Sequence, residues 1–314
     1  MPKFSVIIPL YNKDVHIYDT LISVLNQSYT DYEIIIVNDG STDNSLSEVK
    51  KISSRKLILF DTENQGVSQA RNFAMQEANG DYFAFLDADD TWGVNHLADL
   101  HNLILNYPNC GMYCTNYCFD YGKGYIIKPK FPTLPKKDDW SGIVPDFFNA
   151  SLVYRIALTS AVAIPKNTIN NIGLFCSDLN YGEDTDFWVR IALKNIVAFT
   201  KTQSVIYNAN AINKITDKPI NDKKITTFER FLEDEKKNLS LKKFNDMYRI
   251  EYALHYKMFG DFGLFKNYKK NIDYSLVSFK NKVLLSLPKP LLISLWQCKQ
   301  WLKALERFIF ITFK

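Results

Sequence analysis

The chain contains 314 residues, of which 46% are hydrophobic and 14% are aromatic. This composition excludes an intrinsically disordered chain and provides enough apolar material for one large domain with an additional region. The five cysteines form no CxxC pair, which argues against a disulfide framework or a zinc site and favours free thiols in a reducing compartment.

Charge is distributed unevenly along the chain. Residues 1–209 hold 17 Lys and Arg against 23 Asp and Glu, whereas residues 210–314 hold 21 against 11. The C-terminal part is therefore predicted to meet an anionic partner, either nucleic acid or a lipid surface. The start of the chain lacks the pattern of a secretory leader, and no window reaches the roughly 18 uninterrupted apolar residues of a spanning helix. We expect a cytoplasmic protein, free or attached to a membrane from its cytoplasmic side.

The N-terminal part alternates short β-branched runs with segments of helical spacing. The predicted strands are residues 4–10, 32–38, 56–60 and 81–87, and the predicted helices are residues 15–27, 43–53 and 67–78. This order predicts an α/β fold with a mainly parallel sheet covered by helices on both faces. Ligands bind such sheets beyond the carboxyl ends of the strands, here at residues 9–12, 39–41, 64–71 and 87–90.

The middle of the chain is less regular. Residues 110–119 have the composition of a strand, and a proline-containing loop follows them. A helix is predicted to begin at about Asp184, and residues 196–208 are predicted to form one or two strands that close the domain. From about residue 220 the pattern is lysine-rich and helical, with a break at Pro288 and Pro290.

The last segment of the chain has amphipathic spacing. One predicted face carries Leu291, Leu295, Cys298, Leu302, Leu305 and Ile309, and the other carries mostly Lys299, Lys303, Glu306 and Arg307. A basic amphipathic helix that also contains Trp296 and Trp301 is typical of a membrane-surface element. The alternative is that residues 220–314 form a helical cap that packs on the preceding domain or on a partner subunit.

The sequence FLDADD at residues 85–90 contains three carboxylates, which repel each other unless a positive charge joins them. Asp87 and Asp89 are two residues apart, so in an extended segment they point to the same side, and their oxygen ligands suit Mg²⁺ or Mn²⁺. The alternative is an acidic helix start capped by Asp89 or Asp90. Asp90 is predicted to have a structural or helix-start role.

Three further motifs admit a functional and a structural interpretation. Asp39 precedes Gly40 at a strand end and forms either a ligand-binding turn or an ordinary capped turn. Arg71 lies one turn into a predicted helix and either binds an anionic partner or makes a surface salt bridge. The sequence GEDTDFW supplies Asp184, either as a proton acceptor or as part of an acidic helix start paired with Arg190.

The order of these motifs separates the interpretations. VIIPLYN, VNDGSTDNS, NQGVSQARN, FLDADD and GEDTDFW follow one another and closely resemble the family 2 glycosyltransferases over about residues 3–210. The resemblance implies a GT-A fold and a nucleotide-sugar donor. It implies a catalytic domain at 1–215, with the nucleotide-sugar part in about 1–110 and the acceptor side with the base in about 111–215. Residues 216–314 form the basic helical extension.

The resemblance also implies roles for individual residues. The predicted nucleotide-binding residues are Pro9, Tyr11, Asn12, Asp39, Arg71 and Asp87, with Asp39 at the base and Arg71 against the nucleotide. Asp87 and Asp89 would contact the ribose and the divalent metal, Mn²⁺ or Mg²⁺, on the diphosphate. Asp184 is similar in position to the family's catalytic base, and Glu183 is its substrate-side neighbour.

These roles imply an inverting transferase. It would move one sugar from a nucleotide diphosphate sugar, UDP-linked by resemblance, to a hydroxyl of a glycan or lipid-linked acceptor in bacterial surface polysaccharide or lipopolysaccharide synthesis. The segment DFWVRIALKN lacks the QxxRW motif of processive synthases, which favours transfer of a single sugar. The expected anionic partner is then a membrane surface at the inner face of the cell membrane and not nucleic acid. The alternatives are a nucleotidyltransferase and a non-catalytic nucleotide-sugar-binding protein.

Overall fold

A single mixed sheet forms the centre of the computed structural model, which describes residues 3–312 apart from the side chains of Lys303, Leu305 and residues 307–312. The predicted face positions of Lys303, Leu305, Arg307 and Ile309 therefore lie outside the described residues. The strands are β1 (Phe4–Leu10), β2 (Tyr32–Asp39), β3 (Leu57–Thr62), β4 (Tyr82–Phe85), β5 (Thr91–Trp92), β6 (Met112–Asp120), β7 (Ile126–Ile127), β8 (Ser141–Ile143), β9 (Val162–Pro165) and β10 (Val197–Asn208).

Helices cover the sheet and continue beyond it. They are α1 (Ile17–Leu25), α2 (Ser45–Lys50), α3 (Val67–Glu77), α4 (His96–Asn106), α5 (Phe147–Ala150), α6 (Thr168–Ile172), α7 (Glu183–Lys194), α8 (Leu232–Glu235), α9 (Leu239–Phe259), α10 (Phe262–Lys270), α11 (Phe279–Ser286) and α12 (Lys289–Thr312). Short 3₁₀ helices lie at Thr159–Ala161, Ile215–Asp217, Ile220–Asp222 and Glu229–Phe231. The order confirms the predicted α/β class with a C-terminal helical extension.

The sheet is parallel in one half and mixed in the other. Strand order is β3-β2-β1-β4-β9-β6-β10-β5, and β1 to β4 pair in parallel. The prediction of a mainly parallel sheet holds for this half. Its strands β1 and β2 are mostly apolar and almost completely buried. Beyond β4 the short strand β9 runs antiparallel to both of its neighbours, β4 and β6. Residues 197–208 form one long strand with register shifts, not two.

The fourth strand ends earlier than predicted. β4 stops at Phe85, and Asp87 to Asp90 form a turn in which the Asp90 N–H donates to the Asp87 carbonyl at 3.1 Å. Asp87 and Asp89 therefore lie on a turn and not in an extended segment. The alternative of an acidic helix start is also wrong, because β5 follows the turn and α4 begins at His96.

The C-terminal helices share the core of the sheet domain. Tyr248 and Tyr252 of α9 are each 2% exposed and belong to the same hydrophobic cluster as β1 and β4. A buried ion pair joins Arg249 to Glu235 at 2.7 Å and anchors α9 to α8. The alternative of a helical cap packed on the preceding domain is therefore confirmed for α9, which contacts Phe148 and Tyr181. Helix α10 packs on α9 through the buried ring of Tyr268.

The last helix makes a different surface. Leu291, Leu295, Trp301 and Leu302 of α12 are each more than half exposed. Within residues 3–312, no helix combines the length and the apolar character required to cross a bilayer. The prediction of buried free thiols holds for Cys110, Cys114 and Cys118, whereas Cys176 is half-buried and Cys298 is exposed.

Candidate active site

The predicted site residues lie at or beyond the carboxyl ends of β1, β2 and β4, on α3 and at the start of α7. Asn12 links the first two of these edges, because its N–H donates to Ser41 Oγ at 3.1 Å and its Oδ1 accepts from the Thr42 N–H at 2.8 Å. Asn12 adopts φ 52°, a left-handed conformation that asparagine tolerates. Tyr11 is 42% exposed beside it, and Pro9 pairs with Val37 within the sheet.

Asp39 holds the loop that leads into α3. Its carboxylate accepts from the backbone N–H groups of Gln65 at 2.7 Å and Gly66 at 2.9 Å. Asn64 Nδ2 also donates to the Asp39 carbonyl at 2.8 Å, and Gly40 could not carry a side chain because Asn64 N would lie 2.8 Å from its Cβ. Asp39 therefore fixes the loop before α3, and its contact with a nucleotide base stays a prediction.

Arg71 is buried and forms ion pairs with two carboxylates. One guanidinium nitrogen donates to Asp87 at 2.7 Å and the other to Glu183 at 2.8 Å, while the side chain is 4% exposed. Burial lowers the pKa of Arg71, but these two carboxylates outweigh it and raise the pKa overall. The predicted contact between Arg71 and the nucleotide stays a prediction. The alternative of a surface salt bridge is wrong, because the Arg71 side chain is buried.

The two acidic partners of Arg71 have raised pKa values. Burial raises the pKa of Glu183, and neighbouring Asp184 raises it further. Burial likewise raises the pKa of Asp87, opposed by Arg71 and reinforced by Asp89 and Asp184. Glu183 is only 8% exposed and its carboxylate accepts from Arg71, while its predicted role beside the substrate stays a prediction.

Asp89 meets a cation that the sequence did not indicate. Lys13 Nζ lies 2.6 Å from Asp89 Oδ2 and also donates to the Ile212 carbonyl at 2.8 Å. Because Lys13 follows the first strand directly, its place at the sheet edge could have been predicted, but its partner 76 residues away could not. The pair joins the loop after β1 to the turn after β4, and the hydrogen bond to Ile212 joins the same loop to the segment after β10.

Asp90 has the structural role predicted for it, although it starts no helix. Its Oδ1 accepts from the Asn208 N–H at 2.9 Å, and its Oδ2 accepts from Ser160 Oγ at 2.5 Å. Burial raises the pKa of Asp90 well above its usual range, and Asp89 and Asp87 add to the shift. Ser160 Oγ also accepts from the Asp87 N–H at 3.1 Å, so Ser160 fixes the turn at two points.

Asp184 lies in the first turn of α7, at the positive end of the helix dipole. The helix starts after Gly182, whose φ of 73° falls in the left-handed region that favours glycine. Asp184 Oδ1 accepts from the Thr185 N–H at 2.6 Å, and Asp184 Oδ2 lies 3.6 Å from Arg155. The predicted alternative partner, Arg190, pairs instead with Asp186 at 2.8 Å.

A divalent ion fits the two aspartates of the turn. Asp87 Oδ2 and Asp89 Oδ1 accept no hydrogen bond from the described residues, and both side chains reach solvent. Within the described part of the chain, no three His, Cys, Asp or Glu side chains converge into a complete metal site. Two carboxylates match an ion such as Mg²⁺, which keeps waters and takes other ligands from substrate phosphates.

Known proteins resemble this chain in sequence and in fold. A glycosyltransferase of Haemophilus influenzae without an assigned activity is 37% identical over 143 residues, 45% of this chain and 56% of that protein. The Escherichia coli protein WfaP, a UDP-Glc:alpha-D-GlcNAc-diphosphoundecaprenol beta-1,3-glucosyltransferase, is 30% identical over 205 residues, 63% of this chain and 73% of its own length. The match to the first of these spans little more than half of the relative.

A solved structure supports the fold over nearly the whole chain. S. aureus TarS residues 1–349, crystallised in complex with UDP-GlcNAc, superimposes with a TM-score of 0.59 at 20% identity, covering 98% of this chain and 81% of that one. The glycosyl transferase family 2 model matches residues 5–163, about half of the chain, including β1 to β9 and the turn at Asp87. The chain belongs to glycosyl transferase family 2.

Proposed function

We propose that this family 2 glycosyltransferase moves one sugar from a UDP-linked donor to a hydroxyl of a glycan or lipid-linked glycan, with inversion at the sugar. The products would enter bacterial surface polysaccharide or lipopolysaccharide synthesis. The Arg71 bridge carries the proposal, because it fixes Asp87 against Glu183 and so holds the turn of Asp87 and Asp89 next to the helix start of Asp184. Metal-type carboxylates and a candidate base are thereby held in one site.

The relatives support the donor and acceptor classes. WfaP is named for a UDP-linked glucose donor and a diphosphoundecaprenol-linked acceptor, and TarS was crystallised with UDP-GlcNAc. We assign the nucleotide to the pocket formed by Pro9, Tyr11, Asn12 and Asp39, where Tyr11 is open to solvent and Asn12 and Asp39 fix the loops. The same chemistry is proposed here for the present chain.

In the proposed mechanism, Asp87 and Asp89 near one end of the Arg71 bridge stabilise negative charge, and Asp184 near the other end accepts a proton. Asp87 and Asp89 would hold Mn²⁺ or Mg²⁺, which when bound neutralises negative charge on the leaving diphosphate. Asp184 accepts the proton of the acceptor hydroxyl as this oxygen attacks the anomeric carbon. Attack from the face opposite the diphosphate inverts that carbon, so an α-linked donor gives a β-glycoside.

The polypeptide division proposed is a catalytic part at residues 1–215 and a helical part at 216–314 that is packed on it through α9. We propose that α12 brings the protein to an anionic membrane surface from the cytoplasmic side. Its exposed Leu291, Leu295 and Trp301 supply apolar contact, and the C-terminal excess of lysine and arginine supplies attraction of about 1 kcal/mol per basic residue near the lipid.

Flotation with lipid vesicles tests the membrane proposal. The full chain is expected to float with vesicles containing anionic phospholipid at low salt, and a variant with Leu295→Asp and Trp301→Asp is expected to stay at the bottom. A variant with Lys166→Asp, remote from α12, serves as the charge-matched control. Equal flotation of both variants, or no flotation of the full chain while its fold is retained, would refute the role of α12.

A thermal-shift screen tests the proposed donor. A ligand that binds only the folded protein increases the free energy of unfolding by RT ln(1 + [L]/Kd) and thereby raises the melting temperature. A true donor at about 100 times its Kd adds about 2.7 kcal/mol to this free energy. We expect UDP-sugars to raise the melting temperature with Mn²⁺ and much less without it. A shift for no nucleotide sugar, under either condition, would contradict the proposed function.

A further inference from the structure

A solvent-accessible arginine lies beside the proposed base and is not explained by the roles above. Arg155 belongs to the segment between α5 and the 3₁₀ helix Thr159–Ala161, and its side chain is 41% exposed. The nearest carboxylate oxygen, Asp184 Oδ2, lies 3.6 Å from a guanidinium nitrogen. Among the described residues, no acceptor forms a hydrogen bond with this partly exposed guanidinium, so its planar set of N–H donors is left without an acceptor.

The position of Arg155 is fixed although its head group is open. Its carbonyl accepts from Tyr117 Oη at 3.0 Å, and its guanidinium carbon lies 5.3 Å from the ring centroid of Tyr248. Tyr248 is 2% exposed on α9, so the arginine rests on a rigid aromatic face. A guanidinium held in this way loses little further conformational entropy when it binds a planar acidic group.

Asp184 does not depend on Arg155 for its orientation. Thr185 donates to one oxygen of Asp184 at 2.6 Å, and Thr159 Oγ1 donates to the other at 3.4 Å. A half-exposed ion pair at 3.6 Å contributes about 0–1 kcal/mol. Glu251 also acts on Arg155, but this acid is exposed, so solvent ions screen its charge. Arg155 is therefore available to a ligand.

We infer that Arg155 binds an acidic group of the acceptor, a phosphate or a carboxylate carried close to the hydroxyl that Asp184 deprotonates. Arg155 lies on the same side as Asp184, whereas the donor diphosphate is assigned to Asp87 and Asp89. Guanidinium pairs bidentately with either oxyanion, which gives geometric selectivity that a lysine would not give. The inference rests on the proposed function and adds to it the chemical class of the acceptor.

The test measures binding of acidic probes to the full chain saturated with UDP and Mn²⁺, so that the donor position is filled. Phenyl phosphate and phenyl glucuronide distinguish the phosphate source from the carboxylate source, and phenyl glucoside is the neutral reference. We expect at least one acidic probe to bind the wild type about tenfold or more tightly than the neutral glycoside, since hydrogen bonds to charged groups contribute about 1.5–3 kcal/mol.

Arg155→Gln is expected to abolish this preference, and Arg155→Lys to retain part of it, with UDP affinity and melting temperature unchanged in both. Arg230→Gln is the matched control. Arg230 is likewise exposed, at 53%, and pairs with Asp186, which lies on α7 as Asp184 does. No acidic preference in the wild type, or a preference that survives Arg155→Gln, overturns the inference alone. Weakened UDP binding in Arg155→Gln overturns it by assigning Arg155 to the donor, and a wild type that binds no UDP overturns the proposed function as well.

Discussion

The proposed donor and acceptor sides of the site are built in different ways. On the donor side, Asp87 and Asp89 are paired at 2.7 and 2.6 Å with Arg71 and Lys13, cations that are themselves largely buried. On the acceptor side, Asp184 meets its cation at 3.6 Å, and that cation, Arg155, is 41% exposed. The donor side has its charges fixed before any ligand arrives, whereas the acceptor side presents an unsatisfied cation to solvent.

This difference matches what each side must do under the proposed function. Developing charge on a diphosphate is stabilised best by groups that need no reorganisation during the reaction. An acceptor instead varies from enzyme to enzyme, and an open arginine can select it through hydrogen bonds that only the correct ligand completes. Substitutions that affect one side and spare the other therefore test the comparison.

Asp89→Ala is expected to have the largest effect and to act on the donor side. Turnover should fall below detection and metal-dependent binding of UDP-sugar should be lost, because one of the two predicted metal ligands is removed. Isothermal titration with UDP in the presence and absence of Mn²⁺ measures the binding. Asp61→Ala is the control, since Asp61 accepts from Asn38 at the end of β3. Metal-dependent UDP binding that survives Asp89→Ala would break the assignment of the donor side.

Asp184→Asn is expected to lower turnover by about 10²–10⁴-fold, the usual contribution of a general base, while donor affinity stays within about twofold of wild type. Steady-state sugar transfer and UDP-sugar binding should be measured on the same preparation. Asp186→Asn removes a carboxylate from the same helix turn that pairs with Arg190 and serves as comparison. Normal transfer by Asp184→Asn would exclude it as the base.

Arg71→Met is expected to affect both sides together, through stability. Removing the guanidinium leaves Asp87 and Glu183 without their common partner, and an uncompensated buried charge costs about 3–5 kcal/mol. The free energy of unfolding in urea measures this loss, and Arg71→Met combined with Glu183→Gln should recover part of it. If Arg71→Met unfolds like the wild type, the bridge does not fix the two sides.

Lowering the pH is expected to decrease the free energy of unfolding of the whole protein and not to act on the donor side or the acceptor side separately. Burial lowers the pKa of His96 from 6.5 to about 3, and its Nδ1 lies 2.9 Å from Ser204 Oγ. Between these pH values the unfolded chain binds a proton at His96 that the folded protein does not. The free energy of unfolding therefore decreases as the pH is lowered, by up to about 1.4 kcal/mol per pH unit. Urea unfolding at pH 7 and pH 5 should show the loss in wild type and a smaller one in His96→Asn. Equal losses would exclude His96 as its source.

Lys13→Met is expected to have the smallest effect and to sharpen the description of the donor side. Lys13 occupies one oxygen of Asp89, so its removal should tighten Mn²⁺ binding by a few-fold, equivalent to about 1 kcal/mol. Titration of Mn²⁺ followed by electron paramagnetic resonance measures the change, with Lys3→Met as a control near the start of β1. Unchanged or weaker Mn²⁺ binding would show that Lys13 does not compete for Asp89.

The sequence was most informative where contacts are local. Apolar runs predicted β1 to β3 to within two residues. β1 and β2 are buried on both faces, which requires apolar residues almost throughout, whereas β3 is a partly exposed edge strand. The family was also readable, since five short motifs occur in a fixed order. The end of β4 was predicted two residues too late, because Ser160 fixes Asp87 and Asp90 from a segment with no pattern of its own.

By itself, the sequence determined the α/β class, the family, the edge of the sheet at which Asp39 and Asp87 would be found, and the helix start that carries Asp184. Only the tertiary structure decided what each of these carboxylates contacts. Arg71 bridges Asp87 and Glu183 inside the protein, Lys13 pairs with Asp89, and Arg155 lies partly exposed beside Asp184. These contacts join side chains far apart in the chain, which meet only when helices and strands pack. Pattern and composition carry no signal for such meetings, since the energy of a charge depends on its neighbours in space.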